Sequence, residues 1–552
     1  MIGTTFDRTW VTRSTFGIAC VLFLVSLFAR LGTPLMWNDE AETAMYATRI
    51  LQYGYPKVHD GKNNLYIYDG PTQMRAYDAR TDAYVNSGWA QFYFAAPGVW
   101  VAQHFADPNL RTAILRLPFA LVGVFGIALL AFVLAQFFRR RLLVASAFIT
   151  LSALCIPLIL HLREVRYYSI AFACMAGIIW LYTSRYIHHR LSFRAYTWGL
   201  AALLVGTFLT FHPLFLTSVA TLGLFELIRA RRHWRDVLRG ILPLVTSAVL
   251  VLPFAVYFRT FSLSQELNNR FGFVFADYIQ NVGTILIDLS KSSFLIPTII
   301  VATLIALAYR EAPIATREGT KPFMHGGMFL VTFVVVTVAT ISGSTILHQR
   351  YYFFLMPVLA CAFILAVATC RALLYIPGEP ARTQQFKHWI VVGLAMTVAT
   401  PLVLNGSTIV GHVQELATPY RGTVDYVVSY VRSHYSHPEQ LVIATNYEEH
   451  SYMYYLGSRV TIGQVLNNLP EDLTYQPDII IPRQLWKFAA YPHFDAFRKA
   501  ETYHTVEFPI ADSYVNNIPE LRHPRFYHQF TARSPGDQPP MVIYVRVDRP
   551  AP

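Results

Sequence analysis

The sequence predicts an α-helical polytopic membrane protein of about eleven transmembrane helices, with a small C-terminal α/β domain outside the membrane. Three observations predict it. Of 552 residues, 54% are hydrophobic and 14% charged, with a mean hydropathy of +0.36, which is not the composition of a soluble globular protein. Apolar runs of roughly 18–25 residues recur along the chain, each long enough to cross about 30 Å of hydrocarbon. After Val410 the chain turns polar and rich in Pro and Tyr for about 140 residues, enough for a small domain. The organisation expected is a membrane domain over 1–410, with a first outer loop at 32–112, and a soluble domain over 411–552.

The first run, Phe16 to Leu31, is followed by no small-residue cleavage site and reads as a retained helix, not a signal peptide. Basic clusters then fix the sidedness. They are Arg139–Arg141; Arg185, Arg190 and Arg194; Arg229, Arg231, Arg232, Arg235 and Arg239; and the weaker Arg310/Arg317/Lys321 and Arg371/Arg382/Lys387. All fall in the cytoplasm, as the positive-inside rule requires, if the spans run 14–31, 113–138, 142–161, 167–184, 196–211, 213–229, 238–258, 292–309, 327–342, 352–372 and 388–409. The N-terminus is then inside and the C-terminus outside. Residues 90–106 are nearly long enough to span, but counting them would invert every later cluster. They read instead as an interfacial helix with Trp89 and Trp100 at the headgroups.

In the C-terminal domain, 441–445, 478–481 and 541–547 read as strands, with helical segments at 448–457 and 483–500 between them. The net charge of +12 follows from the loop arginines and does not suggest nucleic acid. The five cysteines lie in or beside apolar runs without CxxC spacing, so neither a disulfide framework nor a zinc site is inferred. Arg greatly outnumbers Lys, which points to a GC-rich bacterial genome and so to a bacterial inner or plasma membrane.

With this topology, four outer loops bring ionisable groups to one membrane face: Asp39-Glu40, HLREVRYYS (161–169), FHP (211–213) and HQRYY (348–352). Acids close to a bilayer cost free energy unless solvated, paired or used. The order of these pieces resembles the GT-C glycosyltransferases, in the branch of the protein mannosyltransferases and the lipid A aminoarabinose transferases. Their Asp-Glu-Ala motif corresponds to Asp39-Glu40-Ala41 and their Arg-Leu-Pro element to Arg116-Leu117-Pro118. Their second-loop element corresponds to Arg163-Glu164-Val165-Arg166-Tyr167-Tyr168, with Val165 where Ala is commoner. A later His corresponds to His212, and a late Arg-Tyr to Arg350-Tyr351. The resemblance covers roughly residues 14–370. It implies a GT-C fold and transfer of a sugar from a polyprenyl-phosphate-sugar donor to an acceptor hydroxyl of a glycan, lipid or protein.

That chemistry breaks the bond between the anomeric carbon and a phosphate oxygen. The leaving phosphate needs its charge stabilised by preorganised cations, and the acceptor hydroxyl needs a base. Asp39 is the candidate base, the role the resemblance also implies, and one displacement would invert the anomeric carbon. Glu40 would shape the site or bond the sugar. Glu164 is a candidate sugar contact or a partner of Arg163 or Arg166. His348 and Arg350 are candidates for the phosphate, and His212, Tyr167 and Tyr351 for substrate contact. The same residues have plainer readings: Asp39 with Glu42 fits a D-x-x-E capping box for a helix ending at Gly54, Arg350 fits snorkelling, His212 fits helix-end packing and the tyrosines an interfacial belt. A divalent cation on Asp39, Glu40 and Glu164 is the alternative to arginine, and the reading leans to no metal and no other cofactor. The long polar loop 59–88 suggests a cover over the site. The alternative function is a transporter or flippase of a lipid-linked sugar, although the acids sit at one face and not at midplane.

Overall fold

The computed structural model describes residues 8–65, 77–229, 234–260, 274–344, 347–374, 399–418, 421–461, 473–483, 491–512 and 539–547, with 390, 393, 396 and 397. The membrane-facing body is built from α1 (Arg8–Phe28), α2 (Asn38–Tyr53), α3 (Ala90–Ala102), α4 (Pro108–Ala135), α5 (Arg141–Ala153), α6 (Ile156–Arg163), α7 (Tyr168–Tyr186), α8 (Phe193–Thr210), α9 (His212–Arg229) and α10 (Trp234–Tyr257). It continues through α11 (Phe275–Ser292), α12 (Leu295–Glu311), α13 (Ile314–Ile341), α14 (Leu355–Leu374), α15 (Ala399–Leu404) and α16 (Gly406–Ala417).

Local chemistry explains several boundaries. Asp107 caps α4 by accepting from the Asn109 amide, with Pro108 in the first turn, where its missing N–H costs nothing. α2 stops at Gly54, whose φ of +82° is open to glycine and strained for other residues. A Cβ on Gly126 of α4 would lie 2.6 Å from the Phe172 ring of α7, so glycine permits that close helix contact. Val21 and Val25 of α1, Phe125 and Phe132 of α4, and Val249 and Leu252 of α10 are exposed, an outer surface suited to lipid. This is a multi-pass membrane protein.

The C-terminal part contains α17 (Thr423–His434), α18 (Glu449–Leu456), α19 (Tyr491–Ala500) and five strands, β3 (Val442–Thr445), β4 (Arg459–Thr461), β5 (Ile479–Ile481), β6 (Tyr503–Ala511) and β7 (Pro540–Arg546); β1 (Tyr77–Asp78) and β2 (Ala83–Tyr84) form a separate hairpin in the first outer loop. The sheet order is β4-β3-β5-β7-β6. β3 pairs parallel to β4 and β5, while β7 runs antiparallel to β5 and β6. Leu35, Met36 and Tyr46 of the outer loop share one buried cluster with Phe92, Phe119, Val427, Ile443, Tyr452 and Ile479. The first outer loop and the C-terminal sheet therefore have a common core.

Several expectations need correcting. The count of eleven spans is not confirmed: among the described residues five helices are long and apolar enough to cross a membrane, or seven if each of two bent pairs is one span. The span expected at 142–161 is broken between α5 and α6 by an 82° bend, next to Pro157. The span expected at 292–309 is preceded by α11, to which it joins at 90°. The helix expected at 327–342 begins at Ile314 and so includes Arg317 and Lys321. Part of 388–409 and part of 483–500 lie outside the described residues, as does 66–76 of the loop expected to cover the site. The helix over 90–106 forms as α3, but Trp89 packs on Tyr257 and Phe258 and donates to the Tyr84 carbonyl, while Trp100 is exposed.

Candidate active site

The capping box at Asp39 does not form. The N-cap of α2 is Trp37, in extended conformation and without a side-chain cap bond, so Asp39, Glu40 and Glu42 all lie inside the helix start. Helical spacing puts positions i and i+3 on one face and turns the next residue about 100° away. Asp39 and Glu42 accordingly share Arg166, whose guanidinium lies 3.3 Å from Asp39 Oδ2 and 2.8 Å from Glu42 Oε2.

Glu40 points the other way and is fully buried. It accepts both branches of Arg116, Nε at 2.8 Å and Nη2 at 2.6 Å, and also the Val165 amide at 3.0 Å. Arg116 Nη1 in turn donates to the carbonyls of Leu31 and Pro34. The Arg-Leu-Pro element thus ties α4, the end of α1 and the second loop to α2. Glu40 is sealed among these partners, with no side of it open.

Arg350 reaches Asp39 from the other end of the chain, with Nη1 3.6 Å from Oδ2. Its guanidinium stands over the Trp37 ring at 5.2 Å, and Tyr351 lies 5.8 Å away. Gln349 holds this segment by donating to Asp288 of α11 at 2.7 Å. Asp39 keeps 24% of its side-chain surface open. Burial pushes its carboxyl up, but Arg166 and Arg350, then His348 and His450, hold it below the ordinary carboxylate value. It is an ionised, partly accessible carboxylate between two guanidinium groups.

Aromatic rings wall the cluster. Tyr167 stacks on Phe211 at 5.0 Å, Phe211 lies 6.0 Å from Tyr351, and the ring of His348 meets Tyr351 edge-on at 5.4 Å. Of the FHP loop, Phe211 joins this aromatic wall, while His212, the candidate for substrate contact, packs on Phe208 at 4.4 Å. Arg163 is buried and donates to the Ala29 carbonyl. Glu164 pairs with neither flanking arginine. It is buried 3.8 Å from His161, and its Oε2 has no hydrogen-bond partner among the described residues. Burial first, and Glu40 second, push its carboxyl well above the usual range. Among the described residues no three His, Cys, Asp or Glu side chains converge as metal ligands.

Sequence reasoning missed how the C-terminal part frames this site. His450 of α18 takes Asn38 Oδ1 on its backbone N–H at 3.2 Å, and its Nδ1 lies 3.0 Å from the same oxygen. Tyr455 Oη accepts the Met36 amide, and Ser451 donates to the Met36 carbonyl. Asp425 receives the Leu35 amide. Residues 35–38, the approach to Asp39, are thus held by α17 and α18. No local pattern marks these contacts, which join positions some 390–420 apart; Asp288, a lone acid within the apolar stretch 282–289, was the one legible signal.

No family model matches the chain, and no curated protein matches it significantly. Solved structures do match. ArnT from Cupriavidus metallidurans in the apo state is similar with a TM-score of 0.54 and 15% identity, over 91% of this chain and 96% of that one. ArnT from the same organism bound to undecaprenyl phosphate is similar with a TM-score of 0.53 and 14% identity, over 98% of each chain. The chain has the GT-C fold. The likeness to these GT-C structures runs through the C-terminal part, well beyond the 14–370 stretch over which the motifs of the sequence carry the resemblance.

Proposed function

We propose that the protein is an integral-membrane glycosyltransferase that moves a sugar from a polyprenyl-phosphate-sugar to an acceptor hydroxyl at the outer face of a bacterial inner membrane. One observation carries the reading: a partly open, ionised Asp39 is set between Arg166 and Arg350, beside aromatic rings at a helix-bundle rim. The ArnT structure holding undecaprenyl phosphate supports a prenyl-phosphate carrier as the donor class.

The acceptor oxygen attacks the anomeric carbon as the carbon–oxygen bond to phosphate breaks. The hydroxyl proton passes to Asp39, and the bonding pair leaves on the phosphate, so the configuration inverts. A carboxylate held below its ordinary value is a weak base, suited to taking the proton late, when the hydroxyl has become acidic by attack. Arg350, with His348 beside it, meets the phosphate charge; its planar guanidinium presents several N–H donors and stays charged. Arg166 fixes Asp39 and Glu42. Tyr167, Tyr351 and Phe211 offer faces to the sugar or prenyl chain. The arginines supply the cationic charge, so no divalent metal is needed in this scheme.

The test is to incubate the purified full-length protein with a panel of polyprenyl-phosphate sugars and envelope acceptors, and to follow lipid products by mass spectrometry. Release of free polyprenyl phosphate with a glycosylated acceptor is expected. Movement of intact lipid-sugar across vesicles without cleavage would favour a transporter instead.

A further inference from the structure

About one bilayer from Asp39, the helix bundle carries a second feature with a different chemistry. α4 rises about 28 Å from Arg116, beside Glu40, to Ala135. Just past its end, α1, α5 and α14 line an open cleft of about 1080 Å³. Leu143, Ala147 and Leu151 of α5 face it at helical spacing, against Ile364 and Val367 of α14, over a depth of about 12 Å. Among the described residues three cations, Arg139, Arg140 and Arg371, line the same cleft, and no acidic residue does. Among the described residues none of the three guanidinium groups meets a carboxylate. α5 also begins here, with no side-chain cap and no acid in its first turn, so its amide end adds to the positive field.

Three arginines that meet no carboxylate among the described residues, with a helix N-terminus at the head of an apolar trough, match a molecule with an anionic head and a hydrocarbon chain. A free anion would leave the apolar walls unused, and a neutral lipid would leave the arginines unmatched. By the positive-inside rule this end of the bundle meets the anionic cytoplasmic leaflet. We propose that the cleft binds one anionic glycerophospholipid, its phosphate and headgroup on Arg139, Arg140 and Arg371 and an acyl chain between α5 and α14. This site is separate from the Asp39 cluster and does not depend on the transferase reading.

Native mass spectrometry of the full-length protein, titrated with phosphatidylglycerol, phosphatidylcholine or inorganic phosphate, tests it. Phosphatidylglycerol is expected to be retained over phosphatidylcholine by on the order of a hundredfold, from about a fivefold gain per arginine, with no retention of phosphate. The R139Q/R140Q/R371Q variant is expected to lose the preference. Ala147→Phe, which fills the trough and keeps the charges, is expected to lower retention of both lipids; it carries the test if the triple variant does not fold. Equal retention of the two lipids by the native protein, or a preference that survives the arginine replacements, would overturn the proposal. So would unchanged retention by Ala147→Phe, or displacement of phosphatidylglycerol by millimolar phosphate.

Discussion

Asp39 and Glu40 are adjacent in sequence yet do unlike work, because a helix turns them onto different faces. Glu40 is sealed against Arg116, and breaking a buried pair by neutralising one partner costs about 3–5 kcal/mol. Glu40→Gln is therefore expected to lower the melting temperature sharply. Asp39 is partly open, so Asp39→Asn should cost at most about 1 kcal/mol, and the two melting curves compare the roles directly. Glu164 makes a third case. Its carboxyl is raised in the folded protein, so the folded state keeps a proton that the unfolded chain releases above about pH 4.3. Stability from this group is then lost as pH rises from that value toward the raised one. Melting of the native protein and Glu164→Gln across pH 4–8 should show the native protein falling relative to the variant; parallel curves would contradict the raised carboxyl. Sequence motifs exposed Asp39, Arg166 and Arg350 as polar residues at a membrane rim, but not the Glu40–Arg116 pair, since positions 76 apart leave no local pattern.

The element that matters most for the site is α2, together with the short approach to it. That a helix forms here and stops at Gly54 was legible because the signals for both are local. Gly54→Ala, at φ +82°, is expected to cost about 1–2 kcal/mol from backbone strain alone, as nothing lies near the new methyl group. The approach, residues 35–38, is held from α17 and α18, and that was not legible. Tyr455→Phe leaves the Met36 amide without its partner and is expected to cost about 1–3 kcal/mol. If the approach positions Asp39, the same variant should lower kcat more than it raises KM; an unchanged kcat with lowered stability would make the contact purely structural. The break between α5 and α6 was hidden for another reason. The residues on both sides of the bend are apolar, so hydropathy stays high through it, and only Pro157 hinted at it. α11 escaped because Asp277, Asn281, Asp288 and Lys291 make it amphipathic and not uniformly apolar.

At the scale of the whole molecule, the C-terminal sheet is not an appendage. It shares a buried core with the first outer loop, and Asn63 donates to the Ser458 carbonyl across the same boundary. Ending the chain at residue 410 should therefore expose that core and abolish a monodisperse, folded membrane part, which size-exclusion chromatography in detergent would read. A well-behaved truncated protein would contradict the shared core. The fold class was legible from hydropathy and arginine placement; the count of eleven spans is not confirmed, because bent and amphipathic helices among the described residues fall outside a length-and-apolarity criterion. The central claim, that Asp39 takes the acceptor proton at a site where Arg350 receives the phosphate, has one direct test. Single-turnover transfer by purified Asp39→Asn, with donor binding measured on the same sample, should show a rate loss of about 10²–10⁴ with the donor still bound. Transfer at the native rate by that variant would contradict the account.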